Sequence, residues 1–180
     1  MKNITFAGAA FMLAVSSGNT LAAPAEGNFG LNVDLTSSTS PLGTPSVFML
    51  EGKYSIKKDL TVLAGAGLQI SDNGTAANSK YTNIGLMGGI RKYLKTEDLA
   101  PFFGGKLLYL STRQGNNDVT DFALIAEGGA EYFLAKQFSL EGSIGFGYAS
   151  RDSQPVAGGP SVKATGFGTT TFNLSANFYF

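Results

Sequence analysis

No cysteine and no histidine occur anywhere in the 180 residues. Without cysteine there is no disulfide framework and no thiolate metal site. Without histidine the chain lacks the side chain that most often acts as a base near neutral pH, and with it the usual dyads and triads of hydrolases. Charge is scarce as well: 14% of residues carry one, 13 basic against 13 acidic, for a formal net charge of zero. Such a surface offers no basic patch for nucleic acid. No run reaches the ~20 apolar residues of a membrane-spanning helix.

The N-terminus supplies the first positive signal. Met1-Lys2-Asn3 carries one positive charge, residues 4–15 are an uncharged apolar and small-residue run, and residues 16–25 are polar and alanine-rich. These are the three parts of a secretory signal, and Ser16-Ser17-Gly18-Asn19 interrupts the run too early for an anchor. The expected organisation is a signal peptide over residues 1–22, cut after Ala22 or alternatively after Ala25, and one exported domain over residues 23–180.

That domain is built of alternating segments. Its 24 Gly, 14 Phe and 7 Tyr favour many short strands over helices. Eight segments alternate apolar and polar residues: 28–36, 47–56, 60–70, 81–94, 101–112, 119–134, 138–150 and 165–180. The joints between them alternate too. Those at 37–46, 71–80, 113–118 and 151–164 are mostly long and rich in Ser, Thr, Asn, Gly and Pro, while those at 57–59, 95–100 and 135–137 are short and carry Lys. Long joints at one end and short ones at the other describe an up-and-down meander.

Sorting each strand by face separates charge from apolar bulk. One face holds Phe29, Phe48, Leu86, Leu124, Ile144 and the Phe172, Leu174, Ala176, Phe178, Phe180 series, with no charge. The other holds Asp34, Glu51, Lys53, Arg91, Lys106, Glu127, Glu131 and Glu141 among Ser, Asn, Thr and Gly; only Lys92 and the loop-adjacent Asp121 fall outside this rule. Two closed architectures fit. In a soluble lipocalin-like barrel, a periplasmic binder of small apolar ligands, the apolar face turns inward; in a membrane barrel it meets lipid and the charges fill the interior. Strands longer than the globular mode, a polar face poor in charge, and aromatics near strand ends (Tyr54, Tyr132 and Phe138 at the short joints, Tyr81, Tyr109 and Tyr148 at the long ones) favour the second. Eight strands enclose only enough space for side chains such as Met49, Leu63, Met87 and Leu108, so no general diffusion pore is expected.

The segment "GAEYFLAKQFSLEGSIGFGY" (residues 129–148) reads as strand, tight turn and strand, and "NLSANFYF" (residues 173–180) ends the chain on an alternating aromatic strand. With the signal sequence, these resemble the small OmpX-like and OmpA-like outer-membrane β-barrels of Gram-negative bacteria. The resemblance covers the whole mature chain. It implies an all-β fold, a closed eight-stranded antiparallel up-and-down transmembrane barrel, with both termini and the short joints in the periplasm. It also implies that Leu174, Ala176, Phe178 and Phe180 form the signal read by the barrel-assembly machinery, Ala176 being smaller than the residue common there. The implied partners are outer-membrane lipid and lipopolysaccharide, with host-surface or envelope proteins at the outer loops 37–46 and 151–164, and the implied state is a monomer with an adhesive or structural role.

Catalytic and cofactor motifs are weak by comparison. Glu127, Glu131 and Glu141 could be imagined in a carboxylate mechanism, but pairing with Lys53, Arg91 and Lys106 accounts for them structurally. The glycine-rich stretches at 85–89 and 142–147 lie within strands, where no helix follows to make a dinucleotide site. Asp72, Asp118, Asp121 and Asp152 are scattered over different loops and read as solvated surface, not calcium ligands. The expectation is therefore no enzyme, no cofactor and no metal.

Overall fold

The computed structural model describes residues 25–35, 49–72, 80–115, 117–154, 159–170 and 172–180. The expected signal peptide and the outer joint 37–46 lie outside the described residues. Nine strands run in order: β1 (Phe29–Asp34), β2 (Leu50–Lys57), β3 (Leu60–Asp72), β4 (Lys80–Tyr93), β5 (Leu99–Gln114), β6 (Asn117–Ala135), β7 (Phe138–Gln154), β8 (Val162–Thr169) and β9 (Asn173–Tyr179). Neighbours from β1 to β7 pair antiparallel in succession, and β9 pairs with β7 on one side and β1 on the other. Eight strands thereby form a closed ring, so these strands leave no open edge between first and last. β8 extends the wall along the upper part of β7, at the end away from the short joints.

The eighth sequence segment is two strands because of one extra residue. Phe146 stands opposite Thr169, whereas Ser143 stands opposite Asn173, so the sequence has three residues between these pairs where β7 has two, Ile144 and Gly145. Thr170 repairs the ladder at this bulge: its backbone N–H donates to the Gly145 carbonyl at 2.8 Å, and its hydroxyl accepts from the Gly145 N–H at 2.8 Å. A bulge shifts the pleat by one residue. Phe167 and Phe172, five positions apart, both face outward as a result.

The apolar face of the ring is the outer one. Leu86, Leu124 and Ile144 are 52%, 54% and 55% exposed, while Glu51, Lys53, Arg91, Glu131 and Glu141 are buried inside. The lipocalin-like alternative needs the opposite arrangement and is corrected by this one. Backbone hydrogen bonds continue to the turns at the lower end, with Tyr93 N–H on Asp59 O, Phe133 N–H on Asp98 O and Tyr179 N–H on Gln137 O.

Four further expectations are corrected. The joint expected over 113–118 is a two-residue turn, since β5 and β6 pair up to Gln114 opposite Asn117, and Gly115 supplies the positive φ of 58° that the turn needs. The long outer joint expected over 151–164 is shorter, because β7 runs to Gln154 and β8 begins at Val162. Asp121 is not a loop residue: it shares the inward parity of Glu127 and is buried. Tyr81 shares the inward parity of Asn83 and Arg91 on β4, so it does not belong to the outer aromatic belt.

Glycine position decides what each wall tolerates. A Cβ on inward-facing Gly129 would lie 2.3 Å from the Gly142 carbonyl oxygen and 2.7 Å from the Phe102 ring, whereas one on outward-facing Gly88 would touch nothing within 4 Å. Gly129→Val is therefore expected to destabilise the fold by ~1–3 kcal/mol through overpacking, and Gly88→Val to stay within ~0.5 kcal/mol. Thermal unfolding followed by circular dichroism measures the contrast.

Candidate functional site

The enclosed ionisable residues stack along the ring axis. Each lies on the inward parity of its strand: Lys53 and Glu51 on β2, Arg91 on β4, Lys106 on β5, Glu127 and Glu131 on β6, Glu141 on β7. They form one alternating chain. Lys106 Nζ lies 3.2 Å from Glu51 and 3.0 Å from Glu127; Arg91 joins Glu127 at 2.9 Å to Glu141 at 2.7 Å; Lys53 joins Glu141 at 2.5 Å to Glu131 at 3.6 Å. Every cation is thus shared by two carboxylates on different strands. Asp34, expected in the same network, is hydrogen-bonded by Asn173 at 2.8 Å and makes no ion pair among the described residues.

The interior set has five acids and three bases, and neutral donors make up the difference. Glu131 accepts from the Tyr93 hydroxyl at 2.6 Å, the Tyr179 hydroxyl at 2.5 Å, Asn177 Nδ2 at 3.0 Å and the Ser139 hydroxyl. A buried carboxylate with that many donors stays satisfied without a cation of its own. Glu51 Oε1 and Arg91 Nε have no partner among the described residues. The Arg91 guanidinium lies 3.7 Å from the centroid of Phe102, so a ring face covers part of it.

Apolar layers close the charged chain above and below. Beneath it Tyr93, Ala100, Phe102, Phe133 and Tyr179 form a buried floor, with Tyr93 edge-on to Phe102 at 5.9 Å and Phe133 against Tyr179 at 5.8 Å. Above it Met49 and Leu110 are buried together, with Met87 and Leu108 packed on them. Higher still, Arg151 pairs with Asp121 at 2.7 Å. The floor aromatics Tyr93, Phe102 and Phe133 and the Asp121–Arg151 pair were not among the residues singled out from sequence. Their signal was parity, since each shares a strand face with Arg91, Lys106, Glu131 or Glu141.

The residues offered for the assembly signal lie together on the outer side of β9. Phe180 is exposed, Leu174 and Phe178 are half-buried, and Ala176 is covered by its neighbours. Among the described residues no group of three acidic side chains is placed to hold a metal. Asp118 pairs with Arg113 at 2.9 Å, and at the lower rim Lys92 binds Asp59 at 2.9 Å. That hydrogen bond from Lys92 holds the Asp59 carboxyl below the ordinary carboxylate range.

Removing one member of the enclosed chain exposes the others to an unpaired state. Arg91→Met is expected to cost ~3–5 kcal/mol in an unfolding titration, because Glu127 and Glu141 lose a shared, fully buried partner. Lys92→Ala is expected to leave unfolding nearly unchanged and to raise the Asp59 titration towards its ordinary value, as read by carboxyl NMR shifts.

Neither a protein-family model nor a curated protein sequence matches the chain. Several solved structures do, over most of both molecules. The N-terminal β-barrel domain of Pseudomonas aeruginosa OprF superposes with a TM-score of 0.53 at 11% identity, covering 86% of this chain and 98% of that one. Outer membrane protein AlkL, determined in DMPC lipid bilayers, gives 0.52 at 13% identity, with coverage of 93% and 97%. The ring of strands, its inward charges and its outward apolar wall thus have the fold of the small outer-membrane β-barrels.

Proposed function

We propose that this chain is an integral outer-membrane β-barrel protein of a Gram-negative bacterium, with an interior closed by its own side chains and a structural or surface-interaction role. The observation that carries the reading is the outer wall. From Leu99 to Tyr109 on β5, from Tyr132 back to Phe122 on β6 and from Phe138 to Tyr148 on β7, the outward positions carry no charge, over about eleven residues in each case. That is the length of a tilted strand crossing a bilayer, with aromatics at both ends of the band on β6 and β7 and at the upper end on β5, as membrane interfaces favour.

Beyond this band the wall changes character. Strands β5, β6 and β7 reach 16, 19 and 17 residues, longer than a crossing needs. Their outward positions above Tyr109, Phe122 and Tyr148 are Ser111, Arg113, Thr120, Asp118, Ser150, Asp152 and Gln154. A polar sheet standing above an aromatic belt suits contact with lipopolysaccharide, a host surface or another envelope protein. In this reading the barrel is a monomer, its assembly machinery reads Leu174 to Phe180, and Glu127, Glu131 and Glu141 serve structure rather than chemistry.

Ile144→Arg, in the middle of the band, is expected to destabilise the protein in liposomes by ~2–4 kcal/mol, where the same change on a water-facing wall would stay within ~0.5 kcal/mol. Liposomes carrying the wild type should not swell in isosmotic sugar. Swelling at porin-like rates, or recovery of the protein in an osmotic-shock supernatant, would overturn the reading. Shortening the β5–β6 hairpin so that a two-residue turn joins Ser111 to Thr120, which removes Arg113 and Asp118 with the tip, should lower adhesion and serum survival without changing heat-modifiable gel mobility.

A further inference from the structure

Ring closure poses a register problem that the outer face of β9 leaves unsolved. β9 has seven residues and makes five pairs with β1 and six with β7. A slip of one residue would turn Asn177 and Tyr179 outward, and the pleat forbids it. A slip of two is different. Leu174, Ala176, Phe178 and Phe180 are all apolar, so a strand displaced by two residues still shows an apolar wall and keeps most of its backbone bonds.

The interior does distinguish the registers. We infer that Glu131 is the register key of ring closure: a buried carboxylate on β6 that the closing strand satisfies only when Asn177 and Tyr179 arrive together. Glu131 has no exposed surface, and β7 separates its strand from β9, so the contact crosses the interior and is independent of the ladder. Two of its donors, Asn177 Nδ2 at 3.0 Å and the Tyr179 hydroxyl at 2.5 Å, are spaced by two positions on β9. Two more come from Tyr93 on β4 and Ser139 on β7. Asn177 is itself fixed from the other side, accepting from Asn32 Nδ2 of β1 at 2.6 Å. Displacing β9 by two residues in either direction removes the Tyr179 hydroxyl from Glu131 and breaks the Asn32 contact. A buried anion short of donors is among the costliest errors a fold can make. Glu131 is thus a positioning residue for strand register, and the assignment holds whether or not the ring lies in a membrane.

The absence of native cysteine allows a direct test on the full mature chain refolded into detergent micelles. Leu140→Cys with Ala176→Cys reports the native register, in which these residues are direct partners. Leu140→Cys with Leu174→Cys, or with Phe178→Cys, reports slips of two. Under mild oxidation the native pair should crosslink at least about tenfold more than the slipped pairs, the discrimination expected of an unmet buried donor or acceptor. In a Glu131→Leu background, a slipped pair should rise to within a few-fold of the native one. Glu131→Gln, or Asn177→Leu with Tyr179→Phe, replaces it if Glu131→Leu fails to reach the heat-modifiable form. Glu51→Gln, elsewhere in the charged chain, should leave the ratio at its wild-type value. An unchanged ratio in every folded Glu131, Asn177 and Tyr179 variant, or an equal shift in Glu51→Gln, would overturn the assignment.

Discussion

Charge enclosed in a narrow ring of strands has to find opposite charge or donors there, and the rest of this structure follows from that requirement. Eight strands enclose little more than their own side chains, so an ion without a partner there is costly. The chain Glu51, Lys106, Glu127, Arg91, Glu141, Lys53, Glu131 answers by alternation, each cation gripping two carboxylates on different strands. Alternation has ends, however, and an odd-membered chain with acids at both ends carries one anion too many. At the lower end two tyrosines, a serine and an asparagine take the place of the missing cation. The same four residues come from β4, β7 and β9, so electrostatic balance and the closing of the ring are one event.

The layers around the charges depend on small residues for their geometry. Tyr179 lies over inward-facing Gly30, where a Cβ would come within 2.7 Å of its ring, and Phe102 lies over Gly129 in the same way. Two of the floor aromatics, Phe102 and Tyr179, thus have a glycine as a cross-strand partner, while Tyr93 stands opposite Phe102 and Phe133 opposite Ser139. The upper layer uses the same device, with Met49 lying against Gly85. Low-dielectric layers on both sides strengthen the ion pairs between them, and they make any missing partner equally costly.

The sequence was legible wherever period two was enough. Eight alternating segments, their antiparallel succession and the face on which Glu51, Arg91 and Glu131 lie all follow from parity, because a strand has only two faces. What parity could not reveal were breaks in the period. The bulge at residues 170–172 inserts one residue, so Phe167 and Phe172 share the outer face although five positions separate them. Aromatics misled in a different way. Tyr81 near a loop resembles a belt residue by type, yet its parity is inward, and Phe102, Phe133 and Tyr93 belong to the floor for the same reason. Polar letters at 113–118 and 151–154 read as loop, although β5 runs to Gln114, β6 begins at Asn117 and β7 runs to Gln154. The pairing of specific ions was beyond sequence altogether, since it depends on which heights the registers bring level.

A filled interior also bears on where function can reside. Among the described residues the floor, the ion chain and the methionine layer occupy the interior of the ring, and the side chains that fill it are held by one another. Rearranging any of them breaks several buried contacts at once, which makes the interior a poor place for a site that must exchange ligands. The outer wall of the band is uniform and apolar, and the lower joints are short. On the upper extension of β5, β6 and β7 the ladder keeps polar outward side chains in fixed order. The two-residue turn at Gly115 matters here, because it carries strand geometry to the tip of the hairpin and so presents a rigid surface. A polar surface held in order by a strand ladder binds with little ordering cost, which is why the proposed reading places recognition on this overshoot.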